Sequence, residues 1–122
     1  MGAVTESILD SEKKLLGLDS SYDVFDDDLI IHINSVFGTL HQLGLGPSNQ
    51  IVISDNTTTW SEYTTDEVEV YEVKTYIYLR LRLLFDPPSS GFVYSGIQEQ
   101  IKELEWRLNV KADEIRKVGV DE

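Results

Sequence analysis

The chain has 122 residues, of which 41% are hydrophobic and 26% charged, and it carries a formal net charge of -12 with no cysteine. This size and balance predict one folded domain. The absence of cysteine excludes a disulfide framework, a thiol nucleophile and a cysteine-based metal site. Residues 1–72 hold 14 acidic and two basic side chains, whereas residues 73–122 hold eight of each sign. The resulting negative field disfavours binding to nucleic acid or to anionic lipid.

Neither a membrane span nor a signal peptide is expected. No apolar run approaches the roughly 20 residues that a helix needs to cross a bilayer. The start, "MGAVTESILDSEKK", lacks both the basic residues and the apolar stretch of a signal peptide. We expect a protein that is made and kept in a cytoplasm.

The first half predicts two helices. Residues 5–17 have apolar points at Ile8, Leu9, Leu15 and Leu16, and they end at Gly17. The second helix, "DDDLIIHINSVFGTLHQLGLGP", has a longer periodic pattern. Its stripe at steps of three and four comprises Ile30, Ile33, Phe37, Leu40 and Gly44, and its three leading aspartates suit a helix start. After it, residues 51–53 predict a short extended piece and residues 54–63 a turn-rich excursion over the surface.

The segment "TYIYLRLRLLFDPP" can be read as a strand or as a helix. Strand alternation holds only from Ile77 to Leu83, whereas a helical stripe extends over the longer run from Val70 to Phe85. That stripe consists of Val70, Val73, Ile77, Leu81 and Leu84. The sequence therefore predicts a helix that Asp86-Pro87-Pro88 ends.

This helix has a second apolar side. Leu79 and Leu83 lie one turn apart and away from the stripe, and Arg80 and Arg82 lie between the two sides. Such a helix needs two neighbours. Either it runs through the middle of a bundle, or one of its sides meets another subunit.

The last predicted helix follows the linker "DPPSSG". Ile97, Ile101, Leu104 and Leu108 share one face, and Trp106 faces roughly the opposite way. An exposed tryptophan is costly, so we expect the tail or a partner to cover it. The tail, residues 110–122, has apolar side chains at Val110, Ile115 and Val118 among charges and is expected to fray unless a partner orders it.

The sequence gives little support to an enzyme. His32 follows Asp28 by one helical turn, and His41 is the other histidine, but a histidine on an amphipathic helix is usually a boundary residue. "DVFDDD" lacks the glycine and the terminal glutamate of a calcium loop. No phosphate loop or serine elbow is present. We expect no catalytic residue, no metal site and no cofactor.

Taken together, the segments "LLGLDSSYDVFDDDLIIHINSVFGTLHQLGLGP", "VKTYIYLRLRLLFDPPSSGFV" and "QIKELEWRLNV" resemble the head-to-tail connector proteins, or head-completion adaptors, of long-tailed bacteriophages. The resemblance covers nearly the whole chain and rests on the order of segments. It implies a mainly α fold: a bundle of about four helices, with a short extended excursion between the second and third helices and a flexible C-terminal tail. Residues 1–109 would form the connector domain and residues 110–122 the tail.

The function that the resemblance implies is structural. Several copies would form a ring, dodecameric in the virion, under the portal protein. The ring would extend the DNA channel and receive the next head-completion or tail protein, with DNA only as passing cargo. Assembly would take place in the host cytoplasm, and no membrane would be involved.

The candidate subunit or portal contacts lie on the last two predicted helices and the tail. They are Leu79, Arg80, Arg82, Leu83, Trp106, Val110, Ile115 and Val118.

A second class of function is open at this point. The acidic first part also suits an inhibitor that mimics DNA and occupies the basic groove of a host nucleic-acid-binding protein.

Overall fold

A computed structural model of the protein describes the backbone of residues 2–121 and the side chains of residues 4–115. Its helices are α1 (Gly2–Thr5), α2 (Ile8–Leu15), α3 (Asp26–Leu43), α4 (Glu67–Phe85) and α5 (Gly91–Asp121), with a 3₁₀ turn at Trp60–Glu62. Within the described residues there is no β-strand, only an isolated bridge between Ser7 and Thr59. The predicted small helical bundle is confirmed.

Helix α2 begins later than the sequence suggests because Ser7 is its cap. The backbone of Ser7 is extended, and its Oγ accepts a hydrogen bond from the Asp10 amide at 3.2 Å. Ile8 and Leu9 are buried as expected, but Leu15 is exposed. Glu12 and Lys13 occupy the next positions on the buried face of α2, and both side chains are fully buried.

Helix α3 agrees with the prediction at both ends. The three aspartates occupy its first turn, where carboxylates meet the positive end of the helix dipole. Gly44 follows the last turn with a φ of 96°, a left-handed conformation that glycine adopts without strain. The buried face consists of Leu29, Ile33, Val36, Phe37 and Leu40, whereas Ile30 of the predicted stripe is only partly buried.

Helix α4 is helical throughout, as its longer apolar period indicates. It begins at Glu67, where the carboxylate of Asp66 accepts from the Val68 amide at 2.9 Å. Val70, Val73, Ile77 and Leu81 are buried; Leu84, in the last turn, is exposed, unlike the rest of the predicted stripe. Because α2 and α3 contact α4 and α5 packs along it as well, α4 runs through the middle of the bundle.

The segment between α3 and α4 does not lie wholly on the surface, contrary to the prediction. The Asn34 side chain accepts from the Ile53 amide at 2.8 Å and donates to the Ile53 carbonyl at 2.9 Å, which fastens the extended piece to α3. Trp60 is fully buried, and its Nε1 donates to Ser11 Oγ at 2.9 Å. Partners this distant in sequence leave no local signal, so the turn-rich composition was misleading.

Helix α5 continues through residue 110, where the sequence suggested fraying. Ala112 is fully buried, and Lys111 Nζ lies 2.9 Å from Glu69 Oε1 on α4. These two contacts hold the helix against the bundle beyond the expected end of the domain. The division of the chain at residue 109 stays a prediction.

Candidate assembly surfaces

The α4 residues predicted at an interface lie mostly inside the monomer. Leu79 is only 6% exposed, and it lines a shallow hollow with Leu104 and Arg107 of α5. Because α5 already covers this side of α4, little of Leu79 is accessible in the monomer, and its assignment as a subunit contact stays a prediction. Leu83, one turn further, is partly buried. The second apolar side of α4 is explained by packing within the chain.

The two candidate arginines of α4 are also partly buried. Arg80 Nη1 donates to the Tyr76 hydroxyl at 3.1 Å, and that hydroxyl donates to Glu105 of α5 at 2.8 Å. Burial, and then the hydrogen bond to Glu105, raise the pKa of Tyr76 above its usual value. This chain of polar groups ties α4 to α5, so Arg80 has a structural role. Arg82 lies in the last turn of α4.

Trp106 and Val110 form an uncovered patch on α5. They are four residues apart, so they are neighbours on one helix face. Trp106 is 67% exposed, and Val110 is exposed beside it. Of the two expected covers for Trp106, the tail or a partner, the tail does not supply one within the described residues, because the chain after Trp106 continues as helix α5. An exposed tryptophan next to an aliphatic side chain is typical of a protein contact site.

Ile115 belongs to a different surface. It lines a hollow with Gly46, Pro47 and Tyr63, on the side of α5 that faces the bundle. Ile115 and Val110 are therefore not brought together. The side chain of Val118 lies outside the described residues.

An apolar groove that sequence reasoning missed lies where α2, α3 and the end of α4 meet. Its volume is about 190 Å³, and its walls are Leu16, Leu18, Phe25, Leu29, Phe85 and Asp86. Three aromatic rings lie in a row along this groove. The ring centroids of Tyr22 and Phe25 are 6.0 Å apart, and those of Phe25 and Phe85 are 6.2 Å apart. The sequence feature that could have indicated this groove is the presence of two aromatic residues in the short polar loop "LDSSYDVF".

Part of the excess acidic charge lines an open depression of about 470 Å³ between α2, α3 and the loop after Ile53. Five aspartates line it: Asp10, Asp23, Asp26, Asp27 and Asp55. One of them is neutralised, because the buried Lys13 Nζ lies 2.8 Å from Asp26 Oδ1 and donates to the Ser20 carbonyl at 3.0 Å. Across the described part of the chain, no group of three or more acidic or histidine side chains has the geometry to hold a metal ion.

The histidines contact other groups. The His32 ring packs edge-on against Phe85, with centroids 5.6 Å apart. His41 Nε2 lies 3.0 Å from the Ser48 carbonyl, next to the turn that follows α3. Both side chains are partly buried and support the packing of α3.

The fold and its surfaces define a small helical protein with exposed aromatic and acidic faces. The family model for phage connector proteins matches residues 8–115. The chain belongs to that family, and its role is that of a structural connector of a phage particle. Neither the curated proteins nor the solved structures give a match. In the described residues no helix is both long enough and apolar enough to cross a membrane.

Proposed function

We propose that this connector assembles into a ring beneath the portal vertex, extends the DNA channel and joins the portal to the next connector or tail component. It acts without enzymatic activity, at the head-tail interface of the virion, and the ring is dodecameric. Assembly takes place in the host cytoplasm, and DNA is only passing cargo.

The exposed patch of Trp106 and Val110 carries the proposal. A large aromatic side chain in water is costly, and buried aromatic anchors supply much of the energy of protein contacts. A connector needs at least two such contacts, one to its own copies and one to the portal. We assign the Trp106 patch to the portal contact.

The acidic depression supports passage of DNA. Carboxylates that face the channel repel the phosphate backbone, so DNA slides without binding. The four aspartates that Lys13 does not neutralise are the ones we place toward the lumen: Asp10, Asp23, Asp27 and Asp55.

The test mixes the purified protein with the portal ring of its own phage and measures co-sedimentation and the subunit ratio. We expect the wild type to sediment with the portal at about one copy per portal subunit. Trp106→Ala should weaken binding about tenfold or more, since fully burying a large side chain contributes at least the free energy of one decade in affinity. Val52→Ala is the matched control, because Val52 is 65% exposed on another part of the surface.

Normal binding by Trp106→Ala would remove Trp106 from the contact. Failure of the wild type to bind a well-formed portal at low and at moderate salt would overturn the connector role. Binding instead to a host DNA-binding protein, with a steep salt dependence, would support the acidic inhibitor.

Truncations test the tail separately from the fold. Removal of residues 116–122 keeps the described contacts of Lys111 and Ala112, whereas removal of residues 110–122 deletes both. We expect the shorter deletion to weaken portal docking without loss of stability. Undiminished docking by the shorter deletion would exclude the tail from the contact.

A further inference from the structure

The apolar groove at the end of the bundle has the size of one aromatic ring. A cavity of about 150 Å³ lined by Leu, Ile and Phe is enough to bind benzene. The groove here has a volume of about 190 Å³, and aliphatic and aromatic side chains supply all of its walls except Asp86. No side chain among the described residues 4–115 fills it.

Phe92 is the large apolar side chain that the fold leaves most exposed among the described residues, at 89%. It lies in the first turn of α5, directly after the linker that follows α4. It does not line the groove of its own chain. Val93 beside it is also exposed, so the beginning of α5 presents a small apolar projection.

The groove and the projection lie on different elements around α4. The groove is formed by the end of α2, the beginning of α3 and the end of α4, whereas Phe92 belongs to α5, which packs along another side of α4. A contact between two such unlike surfaces can repeat from copy to copy as a heterologous contact, which produces a ring when the rotation closes, whereas reciprocal insertion within one pair would produce a two-fold dimer.

We propose that Phe92 of one copy inserts into the groove of a second copy and so links neighbouring subunits of the ring. The inference rests on the proposed ring and adds its lateral contact. The groove accepts the phenyl ring between Leu18 and Phe85, and the Trp106 patch stays free for the portal.

Of the contacts that two copies of the chain can make, this one meets the least opposition from charge. Each copy carries a net charge of -12, so most pairs of surfaces repel. Residues 87–98, which surround Phe92, contain no charged side chain, and the groove wall contains only Asp86. This pair of surfaces brings two acidic copies together with little like-charge opposition.

The absence of cysteine from the wild type allows a specific cross-linking test. Phe92→Cys and Leu18→Cys copies are prepared separately, mixed, assembled on the portal and treated with a short thiol cross-linker. We expect cross-linked dimers in the mixture and at most traces from either variant alone, because only unlike surfaces meet. A Phe25→Cys copy mixed with Phe92→Cys repeats the test at a second wall of the groove, and circular dichroism confirms folding of each variant.

Self-association provides an independent measurement. Phe92→Ser should weaken self-association about tenfold or more, while Val52→Ser, a control at an exposed aliphatic position elsewhere on the surface, should change it less than about twofold. Rings that assemble with no Phe92–Leu18 or Phe92–Phe25 cross-link would overturn this lateral contact and leave the connector role standing. A wild type that forms no oligomer, alone or on the portal, would overturn the contact and the ring together.

Discussion

The two tryptophans of the chain have opposite environments, so the same substitution at each separates the effect of burial from that of exposure. Trp60 is fully buried against Phe37 and donates to Ser11, whereas Trp106 projects into solvent. We expect Trp60→Ala to lower the free energy of unfolding by about 3–5 kcal/mol. Trp106→Ala should change it by about 0.5 kcal/mol or less.

Urea unfolding of both variants, followed by circular dichroism, checks this difference. A large loss of stability in Trp106→Ala would show that the tryptophan is covered within the monomer, contrary to the exposed patch described above.

Gly46 occupies a position where any side chain would be both strained and crowded. Its φ is +85°, and a Cβ built there would lie 2.6 Å from Cε1 of Tyr63. Gly44 also has a positive φ, +96°, but nothing lies within 4 Å of its Cβ position. Gly44→Ala should therefore cost only the backbone penalty, about 1–2 kcal/mol.

Gly46→Ala should cost about 1–3 kcal/mol more than Gly44→Ala, because the Tyr63 ring must also move. Thermal or urea unfolding of the two variants measures the difference directly. Equal losses of stability in the two variants would mean that the Tyr63 ring moves aside at no cost in free energy.

Glu12 is a fully buried carboxyl group on α2. Within the described residues neither of its carboxylate oxygens has a hydrogen-bond partner. Burial raises the pKa of Glu12 well above its usual value, and the nearby Lys74 ammonium only partly opposes this. The folded protein therefore keeps the Glu12 proton over a pH range in which the unfolded chain loses it.

The pH dependence of stability follows from this direction. The contribution of protonated Glu12 is complete below the unfolded pKa and is lost as the pH rises through the folded pKa. Glu12→Gln removes this loss, so it should be more stable than the wild type at pH 7, with a difference that shrinks toward acid pH. Urea unfolding from pH 4 to 8 tests it, with the exposed Glu99→Gln as control; parallel pH profiles for Glu12→Gln and the wild type would contradict it.

At the scale of elements, α4 decides the architecture because both of its apolar sides are used. Leu79 faces α5 and is buried, whereas Leu83 is only partly covered. Leu79→Asp places a charge between two packed helices and should destabilise the monomer by about 3 kcal/mol or more. Leu83→Asp should cost clearly less.

Chemical unfolding of the two single variants, each examined as a monomer by sedimentation, separates packing from assembly. Full stability of Leu79→Asp together with lost assembly would support the subunit interpretation of Leu79.

The helices themselves were predictable from local signals. The period of Val70, Val73, Ile77 and Leu81 identified α4, and Gly44 marked the end of α3, because both features act within a few residues. The persistence of α5 past Val110 was not predictable. It depends on Ala112 and on the ion pair of Lys111 with Glu69, which lies 42 positions away along the chain.

At the scale of the whole molecule, a net charge of -12 opposes association of identical copies. Salt screens repulsion between exposed charges, with a Debye length of about 30 Å at 0.01 M and about 8 Å at 0.15 M. Self-association should therefore strengthen as ionic strength rises over this range. Sedimentation equilibrium at several salt concentrations measures it, and association that weakens with salt would indicate oppositely charged contact surfaces in place of the apolar one proposed here.

The candidate surfaces were only partly predictable. Trp106 was placed correctly on the outer face of α5, since helical period alone separates it from Ile97, Ile101, Leu104 and Leu108. The burial of Leu79 against α5 could not be chosen in advance over a subunit contact, because the sequence shows that a helix has two apolar sides without showing what covers each. The groove near Phe25 was missed because its walls come from three elements that are distant in sequence.

The sequence by itself determined the helical class, the main helix boundaries, the acidic first part and the likeness to phage connectors, because these follow from local periodicity, capping and composition. Only the tertiary structure decided that Trp60 is core and Trp106 is surface, that Leu79 meets α5 and that an open groove and an exposed Phe92 remain. Burial depends on which distant segments pack together, and this information is distributed over the whole chain.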